Sequence, residues 1–313
     1  MSTDTEAAPV STPPVVPAQR GSRRGPRRTG AERSSPLWTW LALPGTVWMT
    51  LFFIGSLIIV ILLAFGTTDV AGKPHFGTSL SSVRHLTDPA YLKVGLRSLV
   101  YALITAVLCL LIAYPIAYAI ALHGGRFKNA LIAAIVVPLF VSYLVRMYGW
   151  SVLLSDDGPV LKAGRALGLP AGVHIINTNL GVILGLVYGF VVFMILPLYA
   201  AMERMDTSLI EAGRDLYGGP LRTFLTVTVP ATRQGALAGL ALVFLPSVGD
   251  FISAQLMGGP DQIMIGSLIT AKVTEANNVP LASALTMVLL LVLLVGMFGY
   301  VRRARRDEID AVL

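Results

Sequence analysis

Cysteine is almost absent from this chain: 313 residues hold only Cys109. That excludes an internal disulfide and any cysteine cluster for a metal. Cys109 lies in an apolar run, where packing is its ordinary role. Charge is scarce as well. Asp, Glu, Lys and Arg make up 13% of the residues, about half of what a soluble domain of this length carries. There is no Walker A sequence. Gly66 and Gly72-Lys73 have the wrong spacing, and Pro74 stands where Ser or Thr would hold magnesium. Any ATP used must therefore be hydrolysed by a partner. The four histidines (His75, His85, His123, His174) all lie outside the apolar runs. Neither a Gly-x-Ser-x-Gly elbow nor a His-Glu-x-x-His pair occurs, so an intramembrane hydrolase has little to work with. No strong internal repeat of the kind that marks many secondary transporters stands out.

What is abundant is apolar sequence, at 55% of residues. It comes in six blocks long enough to span a bilayer, roughly 45–66, 97–122, 131–154, 180–202, 236–257 and 281–301. The first, second and sixth are nearly uninterrupted. The third contains Arg146 and the fifth Asp250. The pattern is apolar all round rather than alternating, which favours helices over a β-barrel. The fold class expected is an all-α membrane protein with six transmembrane helices.

Lys and Arg set the orientation. They concentrate in the N-terminal tail (Arg20, Arg23, Arg24, Arg27, Arg28, Arg33), between spans 2 and 3 (Arg126, Lys128), between spans 4 and 5 (Arg204, Arg214, Arg222, Arg233) and after span 6 (Arg302, Arg303, Arg305, Arg306). The loops at 155–179 and 258–280 are poorer, and 67–96 is intermediate with Lys73, Arg84 and Lys93. Both termini are thus expected in the cytoplasm, with the 203–235 loop beside them. The net charge of +7 sits where this rule puts it, so no nucleic-acid partner is needed. The arginine-rich tail is a topology determinant or a contact for anionic lipid. Residues 1–36, rich in Pro, Ser, Ala and Arg, read as a disordered basic tail. Ser22-Arg23-Arg24 hints at a twin-arginine signal, but Gly25-Pro26 follow where an apolar residue belongs, and span 1 lacks a clear cleavage site. The organisation expected is tail 1–36, first span and external loop 37–94, transmembrane domain 95–301 and cytoplasmic tail 302–313.

Between spans 4 and 5, Asp206, Thr207 and Ser208 are helix-capping residue types. Ser208 followed by Glu211 fits a capping box. The spacing predicts a short helix to about Tyr217, capped by Gly218 or Gly219 in the left-handed conformation. A second helix would start at Pro220 and run to about Val229, with Pro230 bending the chain into span 5. Leu209, Ile210 and Leu216 would offer a small apolar surface to a groove. On spacing alone, Glu211 reads as a plain helix cap with no partner.

Residues Glu211 to Pro230 read EAGRDLYGGPLRTFLTVTVP. This stretch resembles the EAA loop of bacterial ABC-importer permeases: Glu-Ala-Ala, a Gly soon after, and a Pro nineteen residues beyond the Glu. Two departures stand out. Gly213 replaces the second Ala, and Tyr217 takes the usual Gly position with Gly218 one place later. The resemblance covers roughly 95–300. It is most similar to the spermidine/putrescine permease subgroup through Val145-Arg146-Met147-Tyr148-Gly149-Trp150, Phe244-Leu245-Pro246-Ser247-Val248-Gly249-Asp250-Phe251, Leu256-Met257-Gly258-Gly259-Pro260 and Ile263-Met264-Ile265-Gly266.

The resemblance implies a type I importer permease (MetI-like) fold and no enzymatic activity of its own. It implies that Glu211, Ala212, Gly213, Arg214, Asp215, Leu216 and Gly218 dock a cytoplasmic ABC ATPase dimer. No cofactor would be bound by this chain; ATP and Mg belong to the ATPase. A second permease subunit, an extracytoplasmic solute-binding protein and the lipid bilayer are the other partners. A polyamine is the solute implied, with ferric iron or thiamine as alternatives within the class. An ion-coupled secondary transporter and a non-transport membrane scaffold are rivals outside it.

Asp250 lies about fourteen residues into span 5, or ~21 Å of helical rise. A charge there costs a few kcal/mol and must face a cavity or a partner. It either pairs with Arg146 or attracts a cationic solute, with Tyr143, Tyr148 and Trp150 as a cation–π surface or as the outer aromatic belt. Pro138, Pro197 and Pro246 permit kinks in their helices.

Overall fold

The computed structural model describes residues 36–69, 74–77, 79, 84–170, 172–217 and 219–310. The basic tail and Gly218 lie outside the described residues. Four helices are long and apolar enough to cross a membrane, and six spans result if each of two bent pairs counts as one. Helix α1 (Pro36–Ala64) is followed by a two-residue antiparallel ladder, β1 (Thr67–Thr68) with β2 (Pro74–His75). The chain divides into two compact units at Ile54/Gly55, within α1. The apolar part of α1, Leu43–Ala64, keeps only 6% of its most apolar window buried. A helix apolar on every side has lipid or another protein as its natural surroundings.

The core of the second unit is a three-helix layer. Helix α2 (Pro89–Tyr118) begins at Asp88, whose carboxylate accepts the Ala90 amide at 3.0 Å, with Pro89 in the first turn. It ends in a π-helical turn, Ala119–His123. Ala102, Ala106, Cys109, Ala113 and Ala117 are all but fully buried on α2. Their spacing of three and four residues makes one seam. In lipid, apolar side chains gain nothing by leaving hydrocarbon, so close backbone approach along small residues supplies the packing. Val187, Met194, Ile195, Leu198 and Met202 of the long helix Asn179–Glu203, and Ala236 and Val243 of Arg233–Gly249, fill this layer. Cys109 packs there as expected, its thiol donating weakly to Val187 O at 3.7 Å.

The third span is not one helix. Short α3 (Lys128–Val136) passes into a 3₁₀ turn, Val137–Phe140, and α4 (Tyr143–Leu153) leaves it after a 95° bend. Pro138 sits in that turn, and Ser142 is extended at φ −49°, ψ 133°. A loop carrying α5 (Pro159–Ala166) leads to the long helix α6 (Asn179–Glu203). Asn177, at φ 61°, reverses the chain before it, a conformation Asn tolerates. Thr178 then caps α6, its hydroxyl accepting the Gly181 amide at 3.2 Å.

Helices α7 (Thr207–Tyr217), α8 (Pro220–Thr223) and α9 (Val229–Ala231) follow, the last two joined by a π turn, Phe224–Thr228. A 71° bend at Thr232 separates this segment from α10 (Arg233–Gly249). The fifth span also breaks. Asp250 takes φ −66°, ψ 127°, and the chain resumes as the short α11 (Ile252–Met257). Helix α12 (Ile265–Thr274) packs beside α13 (Val279–Asp310), the sixth span, through Ile265, Leu281 and Leu285. The segment before α12 is pinned to α2: Arg97 donates to Asp261 O and Ile263 O, and the Ile265 amide donates to Ser98 Oγ at 2.7 Å. Pro197 and Pro246 stay inside continuous helices, so of the three prolines singled out only Pro138 lies at a break.

Candidate functional site

Two regions carry the sequence-marked residues. The first is the helical loop after α6. Asp206, not Ser208, starts α7: its carboxylate accepts the Ser208 amide at 3.0 Å. That bond holds the Asp206 carboxyl below the usual carboxylate range. The Ser208–Glu211 capping box does not form. Glu211 is exposed and makes no hydrogen bond or ion pair among the described residues. Ala212, Arg214 and Asp215 are exposed too, and Leu216 and Leu209 are 76% and 51% exposed. Ile210 differs from expectation: it is buried against its own chain and offers nothing outward. Gly219 is extended at φ −168° and precedes α8, so it is no left-handed cap.

Gly213 has a steric reason. It is buried, and a methyl group there would come within 2.9 Å of Thr223 Cγ2 and of Val227 Cγ2. The missing methyl lets α7 lie directly on the α8 segment. Beside this pair a cleft of about 560 Å³ opens between Pro197, Arg204, Leu209, Gln234 and Gly235.

The second region lies where the two broken spans meet. Asp250 is 8% exposed. Its Oδ2 accepts the Ser253 amide at 3.0 Å, capping α11, and lies 3.4 Å from the Tyr143 hydroxyl. Tyr143 Oη is also 2.8 Å from Ser253 Oγ. Arg146 and Asp250 form no ion pair. The Arg146 guanidinium lies over the rings of Tyr143 and Tyr188, at 5.7 and 5.9 Å from their centroids, and its Nε is buried without a hydrogen-bond partner. Trp150 packs on Tyr188, with centroids 4.8 Å apart. Tyr148, 61% exposed, lies outside the cluster. The site therefore joins Asp250 to Tyr143, with Arg146, Tyr188 and Trp150 in a row beside them.

Sequence reasoning missed Ser253, Tyr188 and the floor of the site. Gly181, Gly185 and Gly189 form a stripe on α6. A methyl at Gly185 would come within 2.5 Å of Met257 Sδ, and one at Gly189 within 2.8 Å of Tyr143 Cε2. The small-xxx-small spacing was the available signal.

Two solved structures share this architecture. A bacterial alginate ABC transporter in complex with alginate pentasaccharide-bound periplasmic protein aligns with a TM-score of 0.65 at 17% identity, over 87% of this chain and 94% of that one. A second, of a bacterial ABC transporter involved in import of the acidic polysaccharide alginate, gives 0.61 at 17% identity over 86% and 95%. The fold is thus that of a type I ABC importer permease. The chain belongs to the family described as binding-protein-dependent transport system inner membrane component, whose model matches residues 113–307. Among named relatives, the spermidine/putrescine transport system permease protein PotB of Haemophilus influenzae is 34% identical over 82% of this chain and 90% of that protein. PotB of Escherichia coli is 34% identical over 82% and 94%. The inner membrane ABC transporter permease protein YdcU of Escherichia coli is 32% identical over 79% and 83%.

Proposed function

We propose that this permease carries polyamines, spermidine and putrescine, into the cell as one of two membrane subunits. The observation that carries the solute assignment is the likeness to spermidine/putrescine permeases across more than four fifths of the chain. The partners are a cytoplasmic ATPase dimer, a second permease and an extracytoplasmic solute-binding protein. Both termini lie in the cytoplasm. The exposed edge of α7, with Glu211, Ala212, Arg214, Asp215, Leu209 and Leu216, docks the ATPase. Hydrolysis takes place there and not in this chain, which binds no cofactor. Differential binding of ATP and of the loaded binding protein to inward- and outward-open states drives alternating access. Asp250 attracts the solute's ammonium groups in the outer half of the membrane domain. Its buried carboxylate beside Tyr143 supports this role.

The test is co-expression with a cognate ATPase, second permease and binding protein, and uptake of radiolabelled spermidine and putrescine into ATP-loaded vesicles. ATP-dependent, saturable uptake is expected. Uptake of ferric iron or thiamine instead would replace the solute. Uptake driven by an ion gradient without ATPase would overturn the mechanism.

A further inference from the structure

The segment that carries the coupling residues meets the core through one aromatic cluster. Phe224 opens the π turn that follows α8. It meets the rings of Tyr114 and Tyr118 edge-on, with centroids 5.6 Å away in each case and interplanar angles of 83° and 80°. Tyr114 and Tyr118 lie one turn apart on α2, so Phe224 is clamped from two levels of one helix. Tyr114 reaches further. Its hydroxyl is 3.2 Å from Thr232 Oγ1. Thr232 is fully buried at the 71° bend and donates its own hydroxyl proton to Thr228 O at 2.7 Å. The Tyr114 O–H must then be the donor to Thr232. One tyrosine thus holds the segment 220–231 by its ring and the bend after it by its hydroxyl.

The other side of the same segment bears α7. The Gly213 contact with Thr223 and Val227 leaves no room for a methyl group, so a displacement of α7 cannot be taken up there. It passes to Phe224, and from Phe224 to α2, whose small-residue seam is packed into α6 and α10. Interior packing is dense and has few intermediate arrangements, so such a contact transmits movement rather than absorbing it.

We propose that Tyr114, with Phe224 and Tyr118, is the positioning element that converts movement of the coupling helix α7 into movement of α2. The inference rests on α7 being the ATPase-docking helix. None of the three residues touches solute in this scheme; they act through α2. The experiment uses the whole importer in lipid vesicles. It measures basal ATP hydrolysis and its stimulation by spermidine-loaded binding protein. Tyr114→Phe removes one hydroxyl, and Phe224→Leu removes two edge contacts. Stimulation should fall about threefold in the first, the worth of one hydrogen bond, and about tenfold in the second. Basal hydrolysis and the amount of ATPase held should not change, and Phe224→Tyr should restore stimulation. Unchanged stimulation in Tyr114→Phe and Phe224→Leu, or losses matched by loss of assembled complex in the isosteric Tyr114→Phe, would overturn the relay alone. Failure of the unaltered permease to hold an ATPase would overturn the docking of α7 and the relay with it.

Discussion

The cap that Asp250 forms and the solute-attracting charge proposed for it can be separated by one substitution. As a cap it accepts the Ser253 amide, and as a charge it would attract an ammonium group. Asp250→Asn keeps an acceptor oxygen in the same place, and Asn caps helices about as well as Asp. The weaker neutral hydrogen bond loses about 1 kcal/mol, offset in part because a buried charge is gone. Stability should barely change. Asp250→Ala leaves the Ser253 amide unpaired and should cost about 1–2 kcal/mol more. For the charge, an ammonium ~4 Å from the carboxylate at an effective dielectric constant of ~20 gains about 4 kcal/mol before desolvation. Taking half as net, about 2 kcal/mol, KM for putrescine should rise roughly 30-fold in Asp250→Asn. The assays are thermal unfolding of the purified complex and initial uptake rates resolved into KM and Vmax. A KM within twofold of the unaltered permease would refute the charge role. An unfolding temperature as low as that of Asp250→Ala would refute the capping argument. Since Arg146 stacks on tyrosines and does not pair with Asp250, adding Arg146→Gln should worsen the single variant, not rescue it.

Three further outcomes are expected. Glu211→Ala should shift stability by no more than about 0.5 kcal/mol, as for an exposed side chain, yet lose ATPase retention on purification and uptake together; normal uptake would sink the docking role. Gly189→Ala puts a methyl 2.8 Å from a rigid tyrosine ring, so α6 and α4 must part at about 1–3 kcal/mol, seen as a lower unfolding temperature. The depressed folded-state pKa of Asp206 means its cap contributes fully above the ordinary carboxylate range and fades as pH falls through the folded value. Acid-induced loss of ATPase retention should therefore be smaller in Asp206→Asn, and equal loss in both proteins would show that this cap does not govern docking.

The number and order of apolar blocks were legible because hydropathy averages well over twenty residues. For the same reason both breaks were hidden. A window centred on Ser142 or Asp250 reads as apolar whether or not the helix continues through it. The local signals were present at finer grain: Pro138 ahead of the first break, and an Asp three residues before Ser253 at the second. Capping chemistry overrode hydropathy at Asp250, because its carboxylate offers the backbone an alternative to helix. The end of α7 at Tyr217 agrees with the helix expected to about that residue, and Pro220 opens the next helix as its fixed φ favours, though Gly219 is not the left-handed cap. The inward turn of Ile210 was not legible. Spacing on one short helix shows which apolar residues share a face, but not which of them its own chain covers.

The site shows the same division between chemistry and geometry. Asp250 and Tyr143 stand out in sequence because charge and aromatic hydroxyls are costly or purposeful in hydrocarbon. Their meeting depends on residues with no chemistry at all. Tyr143 reaches Ser253 and Asp250 only because Gly189 lets its ring lie against the α6 backbone, and α11 lies close enough only because Gly185 leaves space for Met257. Polar groups brought together in this way satisfy one another. Asp250 is thus held by an amide and a phenol rather than by Arg146, and among the described residues no oppositely charged side chain pairs with it. A buried carboxylate with no ion-pair partner among the described residues, at the junction of two broken spans, would be open to a cationic solute in the role proposed for Asp250, where an ion-paired one would not.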